Sequence, residues 1–322
     1  MNHKQFDTAS NETLLDGALR ANVVLEHSCK TGRCGTCKAE IVSGNTIAVI
    51  DEVALTDSER ASGWILTCAR APLDDVRLAV EDLGETKLSP PRTFPCRIQS
   101  MEKLAPDVMK VVLRLPPQQL FEYRAGQYID VIGPHSLHRS YSVANAPAAH
   151  SAIELHIRHV MGGAMSRYWF DDAKINDLLR LHGPLGTFFL RDVTDHHLVF
   201  LATGTGMAPI KSLLESLGQR GAMLTSTVHV FWGGRTVQDL YWNPALTGNS
   251  YEYTPVLSRA GTEWRGARGY VQDAVLAKEI DMARARVYAC GSLAMIASAR
   301  KVLIERGLEP HHFHSDAFVC SA

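Results

Sequence analysis

Four cysteines carry the most specific chemistry in this 322-residue sequence: Cys29, Cys34 and Cys37 form a C-x4-C-x2-C run, and Cys68 follows in GWILTCA. The run lies in SCKTGRCGTCK, where Gly32 and Gly35 let the backbone turn tightly and aim amides at the sulfurs. Three thiolates from one loop and a fourth from a distant segment suit two irons sharing four sulfurs, the ligand spacing of a [2Fe-2S] cluster. A structural zinc would call for a second C-x2-C or a histidine pair. The chain offers only His311, His312 and His314, in a helix-poor tail where they are expected to face solvent. Inert buried cysteines have no reason to gather between glycines in a polar loop. Cys96, Cys290 and Cys320 are scattered, and with no export signal disulfides are not expected.

Four further segments have residue types suited to phosphate, ribose or ring binding. If RSYS is a strand, alternation sends Arg139 and Tyr141 to one face and Ser140 and Ser142 to the other. An Arg beside an aromatic suits a phosphate next to a flat ring, although an ordinary strand with a surface Arg reads the same way. In GGAMSRYWFDD, Gly162 and Gly163 precede Ser166, which is expected to begin a helix whose free amides attract phosphate. The apolar run LVFLA reads as a strand leading through GTGMAP into a helix with Ile210, Leu213, Leu214 and Leu217 on one face, Pro209 in the first turn and Gly218 as its stop. Pro209 replaces the last glycine of G-x-G-x-x-G, so a phosphate loop and a plain tight turn both stay open. Arg235 in WGGRT is a candidate for a ribose or adenine substituent.

The elements that must position these residues fall into two or three domains. With 46% apolar and 21% charged residues the chain is globular, and its net charge of -1 argues nothing for nucleic acid. No apolar stretch is long enough to span a membrane, and no signal peptide is evident, so a cytoplasmic location is expected. Residues 1–90 carry 9 Lys and Arg against 14 Asp and Glu, the remainder 24 against 20; differently solvated domain surfaces suffice to explain this, and a docking role for the acidic part is the alternative. A helix is expected through Leu14, Leu15, Ala18 and Leu19 with Thr13 and Asp16 as a capping pair, and a linker over GETKLSPPRTFP, residues 84–95. Then come five short strands, FPCRIQSMEKL, MKVVLRLP, GQYIDVIG, RSYSVAN and IELHIRHV, in the manner of a small antiparallel barrel. After LVFLA, the segments VHVFWGGRTVQDLYW, GARGYVQDAVL and VYACGSLAMI continue an α/β alternation. No nucleophile elbow, Walker loop or metallohydrolase helix is present, so hydrolysis is not a competitor.

Residues 5–83 resemble a ferredoxin module of the β-grasp kind. R-x-Y-S and G-x-x-S together resemble the flavin-binding barrel of the ferredoxin-NADP reductase superfamily, and G-x-G-x-x-P (Gly204, Thr205, Gly206, Pro209) resembles its nicotinamide-binding domain. This resemblance implies a multidomain α+β and α/β fold: a [2Fe-2S] ferredoxin domain over 1–88, an antiparallel β-barrel FAD domain over 93–191 that GPLGTFFLR closes with a turn, and a parallel-sheet α/β NAD(P)-binding domain over 196–322. Arg139 would hold the flavin pyrophosphate, Tyr141 pack against the isoalloxazine and Ser142 lie near its N5, with Gly163 and Ser166 at a phosphate; FAD is implied over FMN. Cys290 would lie near the nicotinamide beside Gly291. Asp316 and Phe318 stand where the superfamily has an acidic-x-aromatic ending whose aromatic covers the flavin, with Asp for Glu and Phe for Tyr.

The activity implied is that of an NAD(P)H-dependent reductase, with Ser142, Cys290, Asp316 and Phe318 at the reacting centre, FAD joining the hydride donor to the cluster, and a partner protein as final acceptor. WGGRT lacks the dense basic groups that a 2′-phosphate demands, which favours NADH. FPCRI, AGQYIDV, RSYSVANAP, GPLGTFF, YACGSLAMI and SDAFV resemble the branch that serves an iron-sulfur dehydrase of 3,6-dideoxyhexose formation. The alternatives are the reductase component of an oxygenase and, from another class, a redox sensor or binding module without turnover.

Overall fold

The computed structural model describes residues 4–84, 86–148, 152–219, 227–244 and 251–319. The chain divides into two units, Met1–Leu88 and Ser89–Ala322.

In the first unit the Thr13 side chain caps α1 (Leu14–Arg20), accepting the Asp16 amide at 3.1 Å as the sequence leads one to expect. The buried face of α1, Leu15 and Ala18, packs with Val23, Leu25, Leu55 and Leu66 and with the cysteines Cys37 and Cys68. The strands are β1 (Lys38–Ser43), β2 (Thr46–Ala48), β3 (Trp64–Leu66), β4 (Arg70–Pro72) and β5 (Arg77–Ala79), with α2 (Asp57–Ala61) between β2 and β3. They form a β3-β1-β5 sheet and a β2-β4 pair, all antiparallel. Helix α2 is absent from the expectations above, although its capping box, Thr56 with Glu59, is written in TDSE.

The second unit begins with six antiparallel strands where the sequence suggests five. These are β6 (Arg92–Ala105), β7 (Val108–Arg114), β8 (Tyr128–Ile132), β9 (His138–Ser142), β10 (Ala152–Arg158) and, beyond the short helix α3 (Ala164–Arg167), β11 (Leu178–Leu185), in the order β10-β7-β6-β11-β8-β9. The bridge between Val143 and Leu155 and the Ala144 amide on the Glu154 carbonyl at 2.8 Å join the two edges and close the barrel. Ile98, Val111, Leu113, Ile129, Val131, Leu155 and Leu181 fill it. The unforeseen strand is β11. Leu179 and Leu181 point inward and Arg180 outward, a short alternation that GPL at its end disguises as a turn. Its absence also hides the start of β6: Arg92–Pro95 falls in the expected linker but pairs with β11, Arg92 opposite Gly183 and Pro95 opposite Arg180.

A parallel sheet follows, built from β12 (His197–Thr203), β13 (Val228–Gly234), β14 (Glu252–Leu257), β15 (Ala267–Arg268), β16 (Ala285–Ser292) and β17 (Phe313–Phe318) in the order β15-β14-β13-β12-β16-β17. Leu198–Ala202 has no exposure at all, the mark of a parallel strand covered on both faces. Helices α4 (Met207–Gln219), α5 (Val271–Leu276) and α6 (Leu293–Glu305) cover the sheet. Ile210, Leu213, Leu214 and Leu217 are all buried on α4 as expected, but the helix runs through Gly218 instead of stopping there. Packing of its apolar face outweighs the glycine's roughly 1 kcal/mol helix penalty. The tail is a strand, and His314 within it is buried against Tyr288 at 5.0 Å, contrary to the solvent exposure expected; His311 alone of the three is exposed. Cys320 lies outside the described residues.

Candidate functional site

The cysteine loop turns through three left-handed residues, Lys30, Gly32 and Gly35. At Gly32 a side chain is impossible: its Cβ would sit 2.1 Å from the Asp51 carbonyl oxygen. The turn brings the sulfurs together in two pairs, Cys29 with Cys34 and Cys37 with Cys68, each within hydrogen-bonding reach. Within a pair one sulfur accepts the other's S–H, which pulls Cys29, against its burial, down to about 4 and pushes Cys34 up. In the second pair Cys68 is lowered and Cys37 raised for the same reason.

Amides of Thr31 and Arg33 donate to Cys29, that of Thr36 to Cys34 and that of Gly32 to Cys68. The segment bearing Cys68 is fixed by buried Glu52, which accepts the Leu66 amide at 2.8 Å and pairs with Arg70 at 2.9 Å. Among the described residues no group of three or more His, Cys, Asp or Glu side chains is arranged around a single ion. Two pairs of soft donors, each with amides aimed at the sulfur, fit two irons sharing four thiolates.

On the barrel, β9 carries Arg139, Tyr141 and Ser142. Tyr141 is half-buried, its hydroxyl accepting from Trp169 Nε1 at 2.9 Å; burial pushes its pKa up to about 12, so it is neutral. Arg139 is half-exposed, and its guanidinium donates to the carbonyl of neighbouring His138 at 2.7 Å. Ser140 Oγ donates to Asp130 across the strand pair at 2.5 Å, and Ser142 is buried at the strand end. Ser166 does not begin α3. Gly163 is the N-cap, and Ser166, two residues inside the helix, accepts the Val160 amide at 2.9 Å. Its hydroxyl ties the start of the Gly162–Gly163 turn to α3, and the Gly163 amide closes that turn on the Val160 carbonyl at 3.0 Å. A half-exposed guanidinium beside a neutral phenol and a buried hydroxyl is a donor set that fits a flavin nucleotide.

In the parallel sheet, strand order reverses between β12 and β16, the point where open α/β sheets leave a crevice at the carboxyl ends of their strands. There the turn Gly204–Gly206 lies against β16: a Cβ on Gly206 would be 2.2 Å from the Cys290 carbonyl oxygen, and one on Gly291 2.1 Å from Thr203 Oγ1. Pro209 occupies the third position of α4, where its missing amide costs nothing. A cavity of about 630 Å³ opens at this edge. Of the expected residues, Gly204, Thr205, Arg235 and Phe318 line it. Gly206 and Gly291 form the backbone contact between the turn and β16, and Cys290 points into the core with Ala202, Met207 and Trp232, its thiol raised by burial. Asp316, opposite Cys290 in the β16–β17 register, is also buried; Phe318, 41% exposed, stands opposite Ser292.

Two groups that the motifs did not point to shape the cavity. Arg158, at the end of β10, reaches over from the barrel, and a Cβ on Gly204 would lie 2.5 Å from its Nη1. It donates through Nε to Asp107 at 2.9 Å and through Nη2 to Asp239 at 2.7 Å. Asp239 also takes Arg235 Nη2 at 3.0 Å and the amides of Arg235 and Thr236 at 2.8 and 3.0 Å. Burial works against its charge, but Arg235, the Thr236 amide and Arg158 outweigh it and hold the carboxyl well below the usual range. Thr236 and Asp239 spell a capping box in TVQD, the signal that was available for Asp239. The glycine-walled, partly apolar cavity with two guanidinia fits a dinucleotide.

Residues 2–73 match the 2Fe-2S iron-sulfur cluster binding domain, residues 95–190 the oxidoreductase FAD-binding domain and residues 200–301 the oxidoreductase NAD-binding domain. The CDP-6-deoxy-L-threo-D-glycero-4-hexulose-3-dehydrase reductase of Yersinia pestis is 41% identical over 98% of this chain and 96% of its own. Terephthalate 1,2-dioxygenase reductase component 1 of Comamonas is 31% identical over 98% and 95%. Among solved structures, the cytochrome P450 reductase GcoB of Amycolatopsis superposes with a TM-score of 0.78 at 28% identity, covering 98% of this chain and 96% of that one. A cluster-binding, a flavin-binding and a nicotinamide-binding domain in one polypeptide define an iron-sulfur flavoprotein oxidoreductase. The chain belongs to the family of such reductases that includes the hexulose-3-dehydrase reductases.

Proposed function

We propose that this protein is the NADH-dependent reductase of a deoxysugar dehydrase, supplying electrons to an iron-sulfur dehydrase that removes the C3 hydroxyl of a CDP-hexulose. Bound FAD and a bound [2Fe-2S] cluster would supply the exchange between a two-electron hydride donor and a one-electron acceptor. The observation that carries the reading is full-length similarity to a hexulose-3-dehydrase reductase with all three domains in the same order.

Cys29, Cys34, Cys37 and Cys68 hold the irons. Arg139 would take the flavin pyrophosphate, Tyr141 would pack against the ring and Ser142 would lie near it, while Gly163 and Ser166 would shape the phosphate turn. Gly204, Thr205, Gly206 and Pro209 carry the dinucleotide over the start of α4, with Arg158 and Arg235 toward its phosphates and ribose. Gly291 would let the backbone at the end of β16, beside the buried Cys290, come close to the nicotinamide, and Asp316 would set the strand from which Phe318 would cover the flavin. The cavity's two guanidinia share the carboxylates of Asp239 and Asp107, which leaves little positive charge for a 2′-phosphate and supports NADH over NADPH. Among the described residues no helix is long and apolar enough to cross a membrane, and we place the protein in the cytoplasm.

Mixing the holoprotein, NADH and the dehydrase with its sugar substrate without oxygen tests the reading: flavin and cluster should bleach while deoxygenated sugar accumulates. A second reading, reductase of an oxygenase, is favoured by the full-length similarity to the terephthalate dioxygenase component. Coupling to an oxygenase with no turnover on the dehydrase would select it. A sensor without turnover would show no sustained NADH-driven reduction of a dye.

A further inference from the structure

Within the second unit, the seam between barrel and parallel sheet is closed around a buried cation. Lys211, on α4, has a side chain only 11% exposed, and its Nζ meets three acceptors: Glu215 at 2.6 Å, Glu154 at 3.0 Å and the Ala144 carbonyl at 3.1 Å. The helix grips three consecutive residues that begin one residue beyond R-S-Y-S: Lys211 donates to the Ala144 carbonyl, Ser212 Oγ to the Asn145 carbonyl at 2.6 Å, and Glu215 accepts the Ala146 amide at 2.9 Å.

The network continues across the barrel face. Glu154, on β10, is opposed in its charge by burial, but His156 and Lys211 hold it down to about 2. Burial keeps His156 neutral against the pull of Glu154, so the ring donates Nε2–H to Glu154 at 2.9 Å and accepts from Tyr241 at Nδ1 at 3.2 Å. Tyr241 packs edge-on against Trp232 at 5.0 Å, and Trp232 Nε1 donates to the carbonyl of Gly204 at 3.0 Å. One run of contacts therefore leads from the end of the β9 segment to the first glycine of the nicotinamide turn. Well-packed apolar residues in place of a buried ion pair are often as stabilising or more so, which makes stability a weak reason for such a seam; buried ionic groups can instead fix register.

We propose that Lys211 is a positioning residue, which sets the spacing between the β9 segment ending at Ser142 and the glycine-rich turn that begins α4. The proposal rests on the reading of those two places as flavin and nicotinamide sites. Its signal in the sequence is a Lys and a Glu four residues apart on the face of IKSLLE that also carries core leucines.

The test compares the holoprotein with Lys211→Met, Lys211→Arg and Ser212→Ala, measuring FAD content, NADH dissociation constant, flavin bleaching in a single turnover, the deuterium isotope effect from labelled NADH and amide exchange over residues 142–148. For Lys211→Met, FAD content and NADH binding should stay within about twofold, exchange over 142–148 should quicken, and bleaching should slow by about a hundredfold, the cost typical of a 1 Å misplacement, with a larger isotope effect. Lys211→Arg should recover much of the rate, and Ser212→Ala should slow it several-fold. Lys211→Met bleaching at the parent rate, or slowing only in proportion to lost FAD, overturns the proposal. If Lys211→Met does not fold, Ser212→Ala at the parent rate and exchange overturns it. Failure of the parent itself to bleach with NADH would instead remove the nicotinamide reading.

Discussion

Gly206→Ala separates geometry from backbone strain at the nicotinamide turn. The added methyl would sit 2.2 Å from the Cys290 carbonyl oxygen, 2.6 Å from its carbon and 3.0 Å from the Gly291 nitrogen, whereas ordinary contact begins at 3.4 Å. All three are backbone atoms of β16, which cannot rotate away, so the turn and the strand must part by roughly 1 Å. Overpacking of this kind costs about 1–3 kcal/mol of stability, and a displacement of that size at a reacting centre costs about a hundredfold in rate. Gly307→Ala is the control. Its φ is +102° and a Cβ there meets nothing within 4 Å, so it should lose about 1–2 kcal/mol to left-handed strain alone. NADH-driven ferricyanide reduction, FAD content and Tm measured on both should show similar losses of Tm, but loss of kcat/KM only for Gly206→Ala. Retention by Gly206→Ala of kcat/KM within threefold of the parent would falsify the assignment of this close approach to the site.

Cys68→Ser should abolish the cluster's visible absorption and electron delivery to a protein acceptor while NADH-to-ferricyanide activity persists; equal loss of both would place the dye's reduction site at the cluster. Asp239→Asn frees Arg158 and Arg235 from their shared carboxylate. The ratio of kcat/KM for NADPH to that for NADH should then rise by roughly tenfold, about 1.4 kcal/mol for one charge relieved, and an unchanged ratio would show that charge balance does not set the preference. Glu154 is depressed from 4.5 to about 2 in the fold, so its contribution is complete above pH 4.5 and is lost as pH falls toward 2; at most about 3–4 kcal/mol is involved. His156, also depressed, acts in the same direction below its ordinary range. The fall of Tm between pH 5 and pH 3 should therefore be shallower in Glu154→Gln than in the parent.

Features set within a single loop or helix were legible along the chain. Cysteine spacing pointed to the cluster because a loop supplying three ligands is legible as C-x4-C-x2-C, and the structure brings those sulfurs into two amide-lined pairs. The α1 cap, the apolar run of β12 and the apolar face of α4 followed from periodicity and capping chemistry. Other local signals went unread: TDSE for α2, and the alternation in LLRLHGPL for β11, hidden by its Gly-Pro end. Features that rest on partners far away in the chain emerge only in the folded protein. His314 is buried because β17 pairs with β16, a relation no tail composition reveals. Arg158 and Asp239 are 81 positions apart, yet share a hydrogen bond at the mouth of the cavity. Nothing local to IKSLLE tells that Lys211 is buried; the barrel places Ala144 and Glu154 against it. Spacing along a chain encodes contacts within a turn, a helix face or one loop; the acceptors that satisfy a buried cation are set by how separate layers pack.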